Sequence, residues 1–200
     1  MLQGRRLTPD RSPPPPMPYT LHETGIPDLK LLEPAVFGDS RGFFKELYNA
    51  QQFTDLGLRT DWVQDNLSRS RRGALRGLHF QAPPHAQAKL VTVLEGQVVD
   101  IVVDVRTSSP TYGQSCRVEL TAENHRMLYV PEGFAHGFAV LSESCLFYYK
   151  CAGLYNKASE GGLRWNDPEL ALDWGLPESE AIISEKDQVL PLWQEFKSPF

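Results

Sequence analysis

Two β-rich runs, Lys89-Leu90-Val91-Thr92-Val93-Leu94 and residues 97–105, are separated only by Glu95-Gly96, and they constrain this chain more than any other stretch. Runs of β-branched residues joined by a short glycine-containing link predict a β-hairpin. In the second run Val99, Ile101, Val103 and Val105 share one face, and Val98, Asp100, Val102 and Asp104 share the other, because successive strand residues point to opposite faces. The same parity puts Lys89 on the face of Val91 and Val93. A lysine aimed the same way as core valines belongs at a sheet edge or inside a pocket.

Similar short runs occupy most of the chain. Residues 29–32 read as a first strand, 38–42 as a turn, 43–48 as a strand and 51–56 as a short helix. Residues 115–120, 126–130, 137–141 and 146–150 read as further strands, with Pro131-Glu132-Gly133 as a turn among them. Strands punctuated by turn signals roughly every 8–12 residues predict an all-β barrel or sandwich. The tail from Pro168 onward reads as short helices. Residues 1–18 end in Pro13-Pro14-Pro15-Pro16 and read as a disordered Pro-rich extension, with one domain over residues 19–200.

Composition narrows the partners. A formal net charge of −5 argues against a nucleic-acid binder. No apolar run approaches the roughly 20 residues needed to span a bilayer, and the N-terminal stretch lacks the apolar core of a secretory signal. Cys116, Cys145 and Cys151 are an odd set without CxxC spacing, which suggests buried thiols in a reducing cytoplasm.

The candidate chemistry centres on Leu75-Arg76-Gly77-Leu78-His79-Phe80-Gln81, a histidine and an arginine among apolar neighbours. An apolar setting disfavours a charged imidazole and keeps its free base available, while an arginine is a fixed cation suited to phosphate or carboxylate. His136, between aromatic and small residues after the Pro-Glu-Gly turn, is a second candidate, and Tyr149 is a candidate acid. Each has a plainer alternative: a packed core histidine for His79 and His136, a wall aromatic for Tyr149, and a solvated turn or cap for Ser184-Glu185-Lys186-Asp187. The five histidines, His22, His79, His85, His125 and His136, form no compact ligand spacing, which argues against a metal site. Neither a Gly-x-Ser-x-Gly elbow nor a Gly-rich phosphate loop occurs, so a bound phosphate falls to arginine and lysine side chains.

From Ile26 to Leu192 these segments, in this order, resemble the dTDP-4-dehydrorhamnose 3,5-epimerase family of sugar-nucleotide epimerases. The motifs that carry the resemblance are Val36-Phe37-Gly38-Asp39-Ser40-Arg41-Gly42-Phe43-Phe44, Gln64-Asp65-Asn66, Leu75 through Gln81, and Ala86-Gln87-Ala88-Lys89-Leu90-Val91. Pro131 through Phe138, Tyr149-Lys150, Trp165-Asn166-Asp167-Pro168 and Ser184 through Asp187 complete it. The resemblance implies a cupin-type jelly-roll β-barrel with short C-terminal helices. It also implies a cytoplasmic homodimer that works without cofactor or metal on a nucleotide-sugar substrate. It assigns His79 as general base, Asp187 as its carboxylate partner, Lys89 as the cation beside the 4-keto oxygen and Tyr149 as the acid on the opposite face. Arg76 becomes a diphosphate ligand. Gln64, Asn66, His136, Glu160 and Lys186 become sugar or nucleotide contacts, and Tyr155 a support for the base. Arg41, Phe44 and Glu46 become the set contributed by the partner subunit. One segment departs: Leu154 stands where the family commonly has an aromatic, which bears on nucleotide preference and not on the chemistry. Two other readings remain open at this stage, a single-carbon epimerase and a non-enzymatic or metal-binding cupin.

Overall fold

The structure, a computed structural model, describes residues 18–200, so the proline run lies outside the described residues. The all-β expectation holds. The strands are β1 (Tyr19–Glu23), β2 (Lys30–Pro34), β3 (Val36–Asp39), β4 (Gly42–Lys45), β5 (Gln64–Arg71), β6 (Leu75–Gln81) and β7 (Lys89–Glu95). They continue as β8 (Gln97–Asp104), β9 (Ser115–Thr121), β10 (Met127–Val130), β11 (Phe134–Val140), β12 (Ser144–Cys151) and β13 (Glu160–Gly162). A six-stranded sheet runs β1-β2-β10-β7-β12-β5, a five-stranded sheet runs β13-β6-β11-β8-β9, and β3 with β4 forms a separate hairpin. No helix among the described residues is long and apolar enough to cross a membrane.

The two large sheets pack face to face. Val91 and Val93 of β7 meet Val98 and Val102 of β8 in the core between them. Phe138 of β11 stacks on Phe147 of β12 with ring centroids 4.0 Å apart, joining one sheet to the other. Burying such a side chain is worth about 1.5–3 kcal/mol. A second apolar layer covers the outer face of the five-stranded sheet. There Val99, Ile101, Val103 and Val105 pack under Leu163, Trp165 and Trp174 of the C-terminal tail. Both faces of β8 are therefore buried, as its two valine-rich faces require. On the outside of the six-stranded sheet, helix α1 (Ala50–Asp55) is capped by Asn49, whose side chain accepts from the Gln51 and Gln52 N–H groups. It seats the fully buried Phe53 edge-on against Tyr19 and Tyr48.

The expected hairpin at Glu95-Gly96 does not form. β7 and β8 lie in different sheets, and the link arches between them. Gln97 N–H donates to Ser142 Oγ at 2.8 Å instead of to β7. Gly96 has φ +84°, and a Cβ there would lie 2.1 Å from the Ser144 carbonyl oxygen. The glycine marks a chain that must leave its sheet at once, which in sequence looks the same as a hairpin turn. Other boundaries shift modestly. A strand, β1, precedes residues 29–32, and the strand read at 43–48 stops at Lys45. Gln64–Arg71 and Leu75–Gln81, given no secondary structure from the sequence, are β5 and β6.

β6 carries the irregularity that matters most. Its pairing with β11 shifts register between His136 and Phe138. As a result Leu75 and Leu78 both face the tail layer, while Arg76 and His79 both face the inter-sheet side. A regular strand cannot put residues three apart on one face. Gly77 makes the slip possible: its φ is +123°, and a Cβ there would lie 2.5 Å from Gly137 Cα and 2.7 Å from the His136 carbonyl oxygen.

Where β8 leaves the sheet, Asp104 organises the turn. Its buried carboxylate accepts from Arg106 Nε at 2.9 Å, Ser109 Oγ at 2.6 Å and Thr111 Oγ1 at 2.7 Å. Burial opposes ionisation, yet the hydrogen bonds from Arg106, Ser109 and Thr111 outweigh it and hold the carboxyl at about 2.

Because the folded carboxyl titrates below the unfolded one, the stability Asp104 contributes should be complete above about pH 4 and be lost as pH falls towards 2. Asp104→Ala, which removes the buried acceptor shared by Arg106, Ser109 and Thr111, should lower Tm by about 10 °C in thermal denaturation at pH 7 and flatten the acid limb of the Tm–pH curve. Gly77→Ala should cost about 3 kcal/mol or more, read by denaturant unfolding, because both the backbone conformation and the approach to Gly137 exclude a Cβ.

Candidate active site

A cavity of about 480 Å³ opens between the two sheets, and its walls bring together Arg76, His79, Lys89, His136, Tyr149, Lys186 and Asp187. A smaller chamber of about 150 Å³ adjoins it, lined by Gln64, Asn66, Tyr155 and Glu160. His79, Lys89 and Tyr149 line both. The titratable groups thus sit where the two spaces meet.

His79 projects from β6, and Asp187 reaches it from the tail. The short helix α2 (Glu185–Gln188) is capped by Ser184, whose side chain accepts from Asp187 N–H. The tail layer brings this turn to the edge of β6, and His79 Nε2 bonds Asp187 Oδ1 at 2.6 Å. The second carboxylate oxygen accepts from Gly77 N–H at 3.4 Å. Asp187 is 2 % exposed. Burial alone would raise its carboxyl, but the hydrogen bond and charge of His79, with Gly77 N–H and Ser184, hold it below the ordinary range. A carboxylate so placed fixes the ring tautomer and leaves Nδ1 as the ring nitrogen not engaged by Asp187.

The opposite wall comes from the six-stranded sheet. Lys89 opens β7 and shares the inward face with Val91 and Val93, so its parity reflects a pocket and not a sheet edge. Burial lowers its ammonium below the usual lysine range, while Cys151, Asp100 and Glu160 draw it back up. Tyr149 extends the inward row of β12 that includes Phe147. Burial raises its phenol above the ordinary value, Cys151 adds to that, and the Arg76 cation works against it. Tyr149 and His79 stand on different sheets across the same space.

The remaining walls are polar. Arg76 is steadied by its Nε–H donating to Ser70 Oγ at 3.3 Å. Gln64 donates to Asn66 Oδ1 at 2.8 Å, and Asn66 Nδ2 lies 3.6 Å from Cys151 Sγ. Glu160 accepts from Tyr155 OH at 3.2 Å and pairs with Lys186 across the rim. Leu154 and Tyr155 are both exposed at that rim.

Arg41, Phe44 and Glu46 line neither space. Arg41 sits in the β3–β4 turn, bonded to Asp39, and Phe44 is 62 % exposed. Glu46 accepts from Asn49 and Gln52 beside helix α1. Some of the site was missed from the sequence. Asp100 is fully buried and bonded to His136, and Ser68 lines the cavity with a buried hydroxyl that has no hydrogen-bond partner among the described residues. The signal for Asp100 was present: an acid at an inward position between two core valines. Among the described residues no group of three or more His, Cys, Asp or Glu side chains is placed to hold a metal ion.

Comparison with known proteins gives this geometry its relatives. Residues 23–195 match the family described as dTDP-4-dehydrorhamnose 3,5-epimerase. The enzyme of that name from Salmonella typhimurium is 51 % identical over 174 residues, 85 % of this chain and 93 % of that protein. The crystal structure of the Elizabethkingia anophelis enzyme superposes with a TM-score of 0.85 at 51 % identity, covering 88 % of this chain and 97 % of that one. The Legionella pneumophila 3,5-epimerase, solved in complex with dTDP-4-keto-L-rhamnose, has a TM-score of 0.85 at 45 % identity over 90 % of this chain and 95 % of that one. The two-sheet arrangement is the cupin-like jelly roll of these proteins, its sheets facing each other without a closed ladder. With residues 23–195 matched by the family and half its residues identical to such relatives over most of both chains, the chain belongs to the dTDP-4-dehydrorhamnose 3,5-epimerase family.

Proposed function

We propose that the cavity converts dTDP-4-dehydro-6-deoxy-D-glucose to dTDP-4-dehydro-L-rhamnose by inverting C3 and C5, as a step of dTDP-L-rhamnose biosynthesis. The observation that carries this reading is a His–Asp pair with a buried carboxylate on the side of the five-stranded sheet, faced across the cavity by a tyrosine and a lysine on the six-stranded sheet. His79 Nδ1 takes the proton from the carbon next to the ketone, and the bonding pair moves onto the C4 oxygen. Asp187 stabilises the imidazolium that forms. Lys89 faces the developing enolate charge, and an ammonium already in place there needs no reorganisation as the charge appears. The ketone returns when Tyr149 delivers a proton to the other face of the same carbon. Burial favours its protonated form and so keeps the donor loaded. Both residues re-equilibrate with water between the two inversions. Arg76 holds the diphosphate as a positioned cation, and Gln64, Asn66, Tyr155, Glu160 and Lys186 surround the rest of the ligand.

Arg41, Phe44 and Glu46 act in a second copy's site in this reading. It is supported by the β3–β4 hairpin, which stands apart from both sheets with Phe37, Phe43 and Phe44 more than half exposed, the kind of surface that marks a protein interface.

In deuterated water the product should carry deuterium at both C3 and C5, read by NMR; label at one carbon only identifies a mono-epimerase. His79→Ala should lower kcat by about 10²–10⁴-fold, and undiminished exchange in that protein would overturn the assignment. Arg41→Ala and His79→Ala proteins, each impaired alone, should recover activity when mixed and allowed to exchange subunits, since one hybrid site then holds both intact residues. No recovery would place Arg41 in its own subunit's site.

A further inference from the structure

Asp100 is a buried acid that the reaction as written does not use. It lies on β8, is 0 % exposed, and faces the inter-sheet side between Val98 and Val102. Its only hydrogen-bond partner among the described residues is His136, whose Nε2 stands 3.0 Å from Oδ1 and 2.9 Å from Oδ2. Near-equal distances to both oxygens are what one N–H shared by an ionised carboxylate gives. His136 is the cross-strand neighbour of His79 and lines the same cavity. Two His–Asp pairs therefore sit side by side, with Asp187 entering from the tail and Asp100 from the adjoining strand.

The geometry points to Asp100 as a positioning residue with two effects: it holds His136 as the Nε2–H tautomer, so that Nδ1 accepts a hydrogen bond from a sugar hydroxyl, and it is the buried counter-charge of Lys89. The tautomer follows from the contact, because Nε2 is engaged by the carboxylate and no protein group bonds Nδ1 among the described residues. Burial holds the Asp100 carboxyl above the ordinary carboxylate range, and His136 first, then Lys89, offset part of that rise.

The surroundings of both groups are few. Asp100 is faced by His136 from β11, Lys89 from β7 and the Cys116 thiol from β9. Lys89 is faced by Cys151 and Tyr149 from β12, Asp100 from β8, Glu160 from β13, and by His79 and His136 across the cavity. Asp100 is the fully buried carboxylate of that set, so its charge is the least screened by water.

The proposal deepens the epimerase reading and rests on it for the role of Lys89. Two measurements test it separately. The first is the 15N spectrum of the imidazoles in the whole, unmodified protein, with His136 assigned by comparison with a His136→Asn protein. It should show His136 with Nε2 protonated and Nδ1 unprotonated between pH 7 and 8; the Nδ1–H tautomer, or an imidazolium, overturns the proposal whether or not the protein is an epimerase. The second is the pH profile of Asp100→Asn with the dTDP-4-keto sugar. The amide can donate to Nε2 and turn Nδ1 into a donor, so kcat should fall about 100-fold. Loss of a negative neighbour makes the ammonium easier to deprotonate, so the alkaline limb should move about one unit to lower pH. A merely structural loss would scale activity down at every pH and leave the limb in place, and that result overturns the counter-charge role. If Asp100→Asn does not fold, the spectrum of the unmodified protein still decides the tautomer. Absence of any turnover by the unmodified protein would sink the epimerase reading and leave that spectrum standing.

Discussion

The contact between His79 and Asp187 ties the last part of the chain to the two-sheet core and completes one wall of the cavity. Asp187 comes from a four-residue helix with no capacity to stay folded alone. The tail beneath the five-stranded sheet supplies what the helix lacks, through Leu163, Trp165 and Trp174 packed on the outer face of β8. One strand thus buries a face in each of two layers, closing the inter-sheet cavity on one side and anchoring on the other the segment that completes it.

Charge inside that cavity follows the same economy. A lysine, two histidines, two aspartates and a tyrosine share a space walled by Phe138 and Phe147. Lys89, Tyr149, Asp100 and Asp187 each have their protonation biased by burial in one direction and by a named neighbour in the other. Burial moves Tyr149 and Lys89 towards their uncharged forms, and carboxylates hold Lys89 against that drift. Sites of this kind are destabilising taken group by group and tolerable as a connected set.

Much of this was legible in the sequence, for identifiable reasons. Alternation of apolar residues marked β8, and the parity of Lys89 put it on the face of the core valines, at a sheet edge or in a pocket. The order of the motifs brought His79, Asp187, Lys89 and Tyr149 to one site, and the structure puts all four on its walls. What failed was non-local. β5 reads Gln-Asp-Asn-Leu-Ser-Arg-Ser-Arg, with almost no apolar residues, because it is an edge strand whose inward face lines a polar chamber. β6 hides its strand character because the slip at Gly77 breaks the period of two. The arch at Gly96 has the local chemistry of a hairpin, and only the pairing preferences of distant strands separate the two. Asp100 looked like one more residue of an alternating strand until its partner, 36 positions away, was known.

The order of the six-stranded sheet has a kinetic consequence. β7 lies between β10 and β12, and β12 pairs with β5 through matches such as Tyr149 with Asn66. In the other sheet β6 pairs with β11 and β13. Almost every strand of the cavity wall must find a partner far along the chain, and closing such long loops slows folding to the millisecond-to-second range of β-rich domains. The cavity is then among the last parts to assemble. Substitutions in its walls will show themselves chiefly as faster unfolding, with the rate of folding almost untouched.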